Sequence, residues 1–318
     1  MSFDVVTIGE AMLRLSVPAG IRLEEAHQLD LHVAGAEANT AIALAQLGRS
    51  VAWLSELPTS PLGRRVDREL RANGVDTSHV RWVDGERIGL YFVELAGPPR
   101  PVSVVYDRAG SAAAAMAVDQ LPAEVIDSAK VVHLSGITPA LSKSCRHLSL
   151  DTAERARSGS ARLTVDINYR AKLWSPEVAR PCLTDLAKGA DVVVITREDA
   201  GDVFEVSGEP LDMAKRLRKL LEAGCLVVTL GDGGSVWDSD KGTGSQAAIP
   251  TVIVDRLGAG DAFMAGVIDG LLADDIDRGV QTGTVLASLA LGTRGDHVIT
   301  TREEVERILA GGGRSVDR

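Results

Sequence analysis

The sequence has few aromatic residues, few cysteines, a deficit of basic charge and no long apolar run. Each shortage excludes something. Only 3% of the 318 residues are Phe, Trp or Tyr, so each tyrosine is worth locating. The three cysteines, Cys145, Cys182 and Cys225, form no C-x-x-C pair and no Cys/His ligand spacing. That argues against a zinc site and a disulfide framework, and for a reducing cytoplasm. Subtracting 44 acidic from 34 basic side chains leaves −10. A chain with this balance lacks the Lys/Arg footprint of a nucleic-acid binder. No stretch approaches 18 apolar residues without a charge, so no membrane span is expected. The opening MSFDVVTIGEAMLRLSV has neither a basic leader nor a small-residue cleavage site, so it reads as a strand rather than a signal peptide.

What is present suits a large core. Hydrophobic residues make up 45%, and the length predicts two domains or one large one, at about 150 residues each. Short β-branched runs recur: VVTIG (5–9), VAWLS (51–55), KVVHLSG (130–136), RLTVDIN (162–168), DVVVIT (191–196) and LVVTLG (226–231). Helical spacing lies between them. In PLGRRVDRELRANG, Leu62, Val66 and Leu70 recur every four residues before a stop at Gly74. Uniformly apolar strands alternating with helices predict a parallel sheet covered on both faces. MLRLSV (12–17) and residues 87–110 instead alternate with period two. The second folds back at Gly97-Pro98-Pro99 as a hairpin. These half-solvated strands predict a separate small sheet, a lid or an interface. No internal repeat or linker is visible, and 311–318 reads as a flexible tail.

The most informative stretch runs Asp255-Arg256-Leu257-Gly258-Ala259-Gly260-Asp261, from a predicted strand (TVIV, 251–254) through glycines into the helix AFMAGVIDGLLA. Free N–H groups at a helix start, beside glycines, make an anion site. Asp261 in that first turn has two readings. One is a partner for the helix dipole. The other is a carboxylate beside a bound phosphate, placed to accept a proton from an attacking hydroxyl. LVVTLGDGGSVW (226–237) reads as strand, glycine turn and strand, explained equally by a plain hairpin or by a phosphate-facing loop. His133, at a strand end, reads as a hydrogen-bonded structural residue, and His297 as a residue that orients Asp296. His27, His32, His79 and His147 show no partner in sequence.

Gly258-Ala259-Gly260-Asp261 resembles the C-terminal signature of the ribokinase-like (PfkB) carbohydrate kinases, and AGAEANTAIALAQLG (34–48) resembles their N-terminal one. The resemblance covers essentially the entire chain. Four strings are most similar to 2-keto-3-deoxygluconate kinases: GAEAN (35–39), HLSGITPALS (133–142), DINYRAKLWSP (166–176) and TRGDH (293–297).

The resemblance implies one α/β domain over 1–318, a three-layer ribokinase-like sandwich with a mostly parallel central sheet. It also implies a small β-sheet lid built from about 10–34 and 84–110. It assigns Asp261 as catalytic base, with Gly258, Ala259 and Gly260 as the anion hole. It assigns Gly35, Ala36, Asn39, Tyr91, Tyr106, Arg108, Arg170 and Asp296 to a sugar acid, with Arg108 facing the carboxylate. A solvated lid charge explains Arg108 as well, and lid packing explains the two tyrosines. Asn168, Tyr169, Arg170, Thr196, Thr229, Gly231, Gly234, Thr284, Gly258 and Gly260 fall at nucleotide positions.

ATP and Mg²⁺ follow as cofactors, with no residue named as a direct metal ligand. A monovalent cation such as K⁺ beside the Asp255–Gly260 loop, and a homodimer through the lid, are further implications. Four departures from the family pattern stand out: Ala34, Arg256, Thr229 and the Thr196-Arg197-Glu198-Asp199 string. Another sugar, such as fructose or a different keto-deoxy acid, or a protein that binds without turnover, stand as alternatives.

Overall fold

The computed structural model describes residues 2–18, 20–95, 100 and 102–311. The strands are β1 (Val5–Ile8), β2 (Met12–Ser16), β3 (Asp30–Ala34), β4 (Val51–Leu54), β5 (Glu56–Pro58), β6 (Arg81–Val83), β7 (Gly89–Glu94), β8 (Ser103–Asp107), β9 (Val131–Ser135), β10 (Arg162–Asp166), β11 (Val192–Thr196), β12 (Cys225–Thr229), β13 (Ser235–Ser239) and β14 (Gly242–Gln246). The helices are α1 (Ala36–Gln46), α2 (Pro61–Ala72), α3 (Ala123–Asp127), α4 (Thr138–Leu141), α5 (Lys143–Ser158), α6 (Pro176–Ala187), α7 (Arg197–Phe204), α8 (Pro210–Leu221), α9 (Ala259–Leu272), α10 (Ile276–Leu291) and α11 (Arg302–Leu309).

Eight strands form the main sheet in the order β14-β13-β12-β11-β10-β9-β1-β4, parallel except where β13 and β14 turn back at one edge. All six apolar runs read from the sequence lie in it. Alternate residues feed opposite faces. Val193 and Ile195 join one core with Leu148, Leu183 and Leu217 of α5, α6 and α8. Val192 and Val194 join the other with Ile42, Val66, Met264 and Leu286 of α1, α2, α9 and α10. Burial on both sides is why these strands read as uniform apolar runs. No helix among the described residues is long and apolar enough to cross a membrane.

The small sheet has the order β3-β2-β7-β8, with Tyr91 opposite Tyr106 in the antiparallel β7–β8 pair. The period-two reading holds here, and β8 alternates between exposed and half-buried positions. It overstates the exposure of β2. Arg14 is completely buried, and so is Ser16, because the polar face of β2 packs against charged groups of the main body. The Gly97-Pro98-Pro99 turn and tail residues 312–318 lie outside the described residues.

Two further expectations fail. TVIV (251–254) forms no strand: Val252, Ile253 and Val254 are exposed, and Val254 N–H donates only to the Leu291 carbonyl. The segment follows the edge strand β14 and leads to α9, and its backbone bonds to the end of α10 rather than to a strand, so its β-branched residues join no ladder. In α2, Leu62 points to solvent, and the buried stripe is Gly63, Val66 and Leu70. Spacings of three then four follow the 3.6-residue period better than two fours.

Helices α9 and α10 touch at backbone distance through glycines. A Cβ on Gly266 would overlap the Gly283 backbone, and one on Gly270 would overlap Gly279. Gly201 in α7 has open space instead. Gly266→Val should therefore lower unfolding free energy by about 1–3 kcal/mol through overpacking. Gly201→Ala should raise it by about 0.5–1 kcal/mol. Urea midpoints of the two variants check the opposite signs.

Candidate active site

The parallel strands end together at one edge of the sheet. Ser135 pairs in register with Asp166, and Thr196 with Thr229, at the carboxyl ends of β9, β10, β11 and β12. In open α/β sheets this edge is where ligands bind. Helix α9 approaches the same place and begins unusually bare. Its N-cap is Gly258, at φ +81, with no side-chain cap on the first N–H groups. A Cβ on Gly258 would overlap the Asp296 carbonyl, whereas the space beside Gly260 is open. An uncapped helix start with an unobstructed approach is an anion site.

Asp261 sits in that first turn and is held from across the fold. Asn39 Nδ2 donates to its Oδ2 at 2.7 Å, and Thr40 Oγ1 donates to its carbonyl at 3.2 Å. Burial raises its carboxyl to about 7, against the pull of Asn39 and the Arg170 charge. Two further carboxyls behave alike. Burial, with repulsion from Asp261, pushes Asp166 up to about 8. Burial raises Asp199 to about 6 despite the Tyr169 N–H that it accepts. Arg170, exposed and in no ion pair among the described residues, opposes all three shifts. Such an arrangement can take a polyphosphate and accept a proton from a hydroxyl near neutrality.

Around this centre the expected residues divide. Asn168 lies at φ +39, its N–H donating to Asp166 at 3.1 Å. Thr196 caps α7 by accepting from Asp199 N–H at 2.9 Å. Thr229 ends β12, and Gly231, at φ +60, faces open space. Gly234 is required by the hairpin itself, since a Cβ would overlap the Gln246 carbonyl.

Others are used differently from expectation. The Tyr169 ring packs in the core and its hydroxyl donates to Trp174 O at 2.9 Å, so only its backbone reaches the carboxylates. Thr284 spends its hydroxyl hydrogen within its own helix, on Val280 O. Gly35 is close to the Glu10 backbone, which explains the glycine without a ligand, and Ala36 follows it as the first residue of α1. His133 is a structural residue as expected, 3.1 Å from Thr164 Oγ1 and lowered to about 4 by burial. His297 does not orient Asp296, whose oxygens are taken by Arg14 Nη1 and by Tyr91 Oη.

Arg108 is the largest departure. It is neither a solvated charge nor an unpaired cation. Its Nε and Nη2 both donate to Oε2 of buried Glu10, whose Oε1 accepts from Ser111. Its guanidinium carbon lies 5.7 Å from the Tyr106 ring, and Lys172 Nζ lies 5.8 Å from the same ring.

Sequence reasoning passed over Asp166, Glu37, Glu10 and Arg14, and gave Asp255 no ion pair. Asp166 had a signal, a carboxylate ending an apolar strand. Glu37 had none. It lies in a helix first turn, where acids are ordinary, yet it is fully buried with Ser135 and Thr138 both donating to Oε1 at 2.7 Å. Burial raises its carboxyl as well.

Comparison with known proteins supplies context for this geometry. A family described as pfkB family carbohydrate kinase matches residues 2–302. A 2-dehydro-3-deoxygalactonokinase of Haloferax volcanii is 39% identical over 319 residues, covering 100% of both chains. A 2-dehydro-3-deoxygluconokinase of Thermoproteus tenax is 32% identical, over 96% of this chain and 94% of its own. The crystal structure of a 2-dehydro-3-deoxygluconokinase from Thermotoga maritima superposes with a TM-score of 0.90 at 32% identity, covering 97% of this chain and 100% of that one.

The raised carboxyls carry a stability signature. From the ordinary aspartate value up to about 8, folded Asp166 holds a proton that the unfolded chain has lost, so stability falls as pH rises through that window. Asp166→Asn should remove that slope. Thermal melts from about pH 5 to about pH 8 should show the variant gaining on the parent as pH rises. A constant gap between the two would contradict the raised carboxyl.

Proposed function

The chain belongs to the pfkB family of carbohydrate kinases and is a sugar kinase, and from that premise we propose that it transfers the γ-phosphoryl group of ATP to the terminal hydroxyl of a small sugar acid, 2-keto-3-deoxygluconate first among candidates. The observation that carries this reading is Asp261: a carboxyl near neutrality, fixed by Asn39, at the uncapped start of α9. The sugar hydroxyl oxygen attacks the γ-phosphorus and its proton passes to Asp261. The bond from that phosphorus to the β–γ bridging oxygen breaks, and ADP leaves with the electron pair. The Gly258, Ala259 and Gly260 N–H groups meet charge on the transferring oxygens, and Arg170 neutralises more of it.

Mg²⁺ fits beside Asp166 and Asp199. The described residues offer no cluster of three or more His, Cys, Asp or Glu able to hold a metal, as suits an ion that keeps waters and phosphates as ligands. When bound it would neutralise phosphate charge there. Beside the Asp255–Gly260 loop, the Asp255 carboxylate does not fit a monovalent cation. That carboxylate is 1% exposed, and its oxygens accept from Arg14 Nη2, Leu257 N–H and Gly295 N–H.

The small sheet acts as the lid, bringing Tyr91 and Tyr106 toward the sugar. Arg108, whose Nε and Nη2 are held by Glu10, offers the acid end Nη1, and Lys172 adds a second positive charge near Tyr106. The Haloferax relative favours one variation, the galacto epimer of the same acid. On the lid, Leu31, Leu15, Phe92 and Val105 line up in register across all four strands, with Leu31 and Val105 exposed. We infer that a second copy covers this row. We place the enzyme in the cytoplasm, in keeping with three free, buried thiols.

Two experiments test this. A coupled ADP-release assay with ATP and Mg²⁺ should give turnover on 2-keto-3-deoxygluconate, its galacto epimer or both. Fructose should be poorer by about a hundredfold in kcat/KM, and a preference for fructose would overturn the acid assignment. The rate should rise with pH through about 7 as the Asp261 carboxylate forms. Asp261→Asn should lose about 10²–10⁴-fold in kcat together with that limb. Separately, Phe92→Glu should convert a dimer to a monomer in light scattering, and a parent protein that is already monomeric would refute the interface.

A further inference from the structure

Arg14 is 0% exposed and uses every arm of its guanidinium. Nε donates to Ser16 Oγ at 2.7 Å, Nη1 to Asp296 Oδ1 at 2.6 Å and Nη2 to Asp255 Oδ2 at 2.6 Å. These partners belong to three separate pieces of chain. Ser16 is on the small sheet. Asp255 stands before α9, and Asp296 stands after α10. Burying one cation with two anions is costly, so the arrangement calls for a reason beyond stability.

That reason lies in what the two aspartates touch. Asp255 Oδ1 accepts Leu257 N–H at 3.2 Å, and its Oδ2 also accepts Gly295 N–H at 3.3 Å. The backbone of Asp296 is the surface on which Gly258 rests, too close for any Cβ. Tyr91, on the small sheet, donates to the other oxygen of Asp296. A continuous chain of polar contacts thus runs from the face that meets the sugar, through Asp296, Arg14 and Asp255, into the loop that presents Gly258, Ala259 and Gly260.

We propose that Arg14 is a positioning residue for phosphoryl transfer: its guanidinium joins the lid to the Asp255 and Asp296 loops and so holds the α9 N–H groups where the transferring phosphoryl group passes. The inference rests on the reading above of phosphoryl transfer at Asp261 and the start of α9. Lysine cannot replace it, because a single ammonium cannot bridge two carboxylates and a hydroxyl in a planar fork. Without a cation, two buried carboxylates face each other and drive the loops apart.

The test uses the full-length protein. Arg14→Lys keeps a buried positive charge and so keeps the fold, with a melting curve close to the parent's. Its kcat should fall by about a hundredfold, the scale of losing one oxyanion-hole donor. The KM for the sugar acid should stay within about threefold, since the defect lies in the transition state. In Arg14→Ala, if folded, millimolar guanidinium ion should raise kcat at least about tenfold, and the same ion should leave Asp261→Asn unchanged. Arg14→Lys with parental kcat, a loss confined to KM, or a folded Arg14→Ala that guanidinium does not rescue would each overturn the proposal. Failure of the proposed phosphoryl transfer looks different: the parent would then release no ADP with either sugar acid, or Asp261→Asn would retain full rate.

Discussion

Helix α9 must begin without a cap, and much of the site follows from that. A serine or aspartate side chain on its first N–H groups would stabilise the helix by about 1 kcal/mol, but it would also fill the anion site. Gly258 leaves those groups free, and the helix start is held in place by its surroundings instead. Glycine-to-glycine packing fixes α9 against α10, the alanine-rich α1 supplies Asn39 and Thr40, and the Asp296 backbone seats Gly258. The stability given up at the cap is replaced by packing that cannot compete for the ligand.

The same economy governs charge. A net −10 counts against binding long polyanions, yet it says little about a single nucleotide. What matters is that Asp166, Asp199 and Asp261 share one dehydrated edge with Arg170 near them. Burial raises all three carboxyls, with repulsion from Asp261 and Asp199 adding at Asp166 and from Asp296 and Glu37 at Asp261, and that lifts Asp261 into the range where a base is useful at neutral pH. A cation arriving with the phosphates would relieve the same repulsion, so the acidic edge suits Mg²⁺ and ATP entering together.

Much of the fold was legible because buried parallel strands and period-two strands leave different signatures. The six apolar runs and the β7–β8 hairpin lie where the pattern put them. The failures share a cause. TVIV has strand-forming residues but bonds to the end of α10 instead of a strand, and the choice of partner leaves no mark in a local window. Arg14 alternates as a solvent-facing residue should, yet its partners Asp255 and Asp296 are more than two hundred residues away in the chain. Tyr169 stands beside Arg170 in sequence, but adjacent side chains diverge, and its ring went to the core. At the site, Asp261 and its glycines stood out because a helix start is a local event, whereas the Asn39–Asp261 contact was not legible.

Arg108 shows how a residue type can mislead about its state. A guanidinium near an acid substrate reads as the carboxylate's partner, and sequence gives no sign that Glu10 already holds two of its arms. The pairing has a consequence for specificity. A free arginine would attract any anion that entered beneath the lid, including a stray phosphate of the nucleotide. One neutralised by Glu10 adds little net field and acts through the geometry of its remaining arm. On the proposed function, discrimination would rest on a substrate that fits beside Tyr106 and reaches that arm, so the small sheet would select a sugar acid by shape without drawing the triphosphate away from α9.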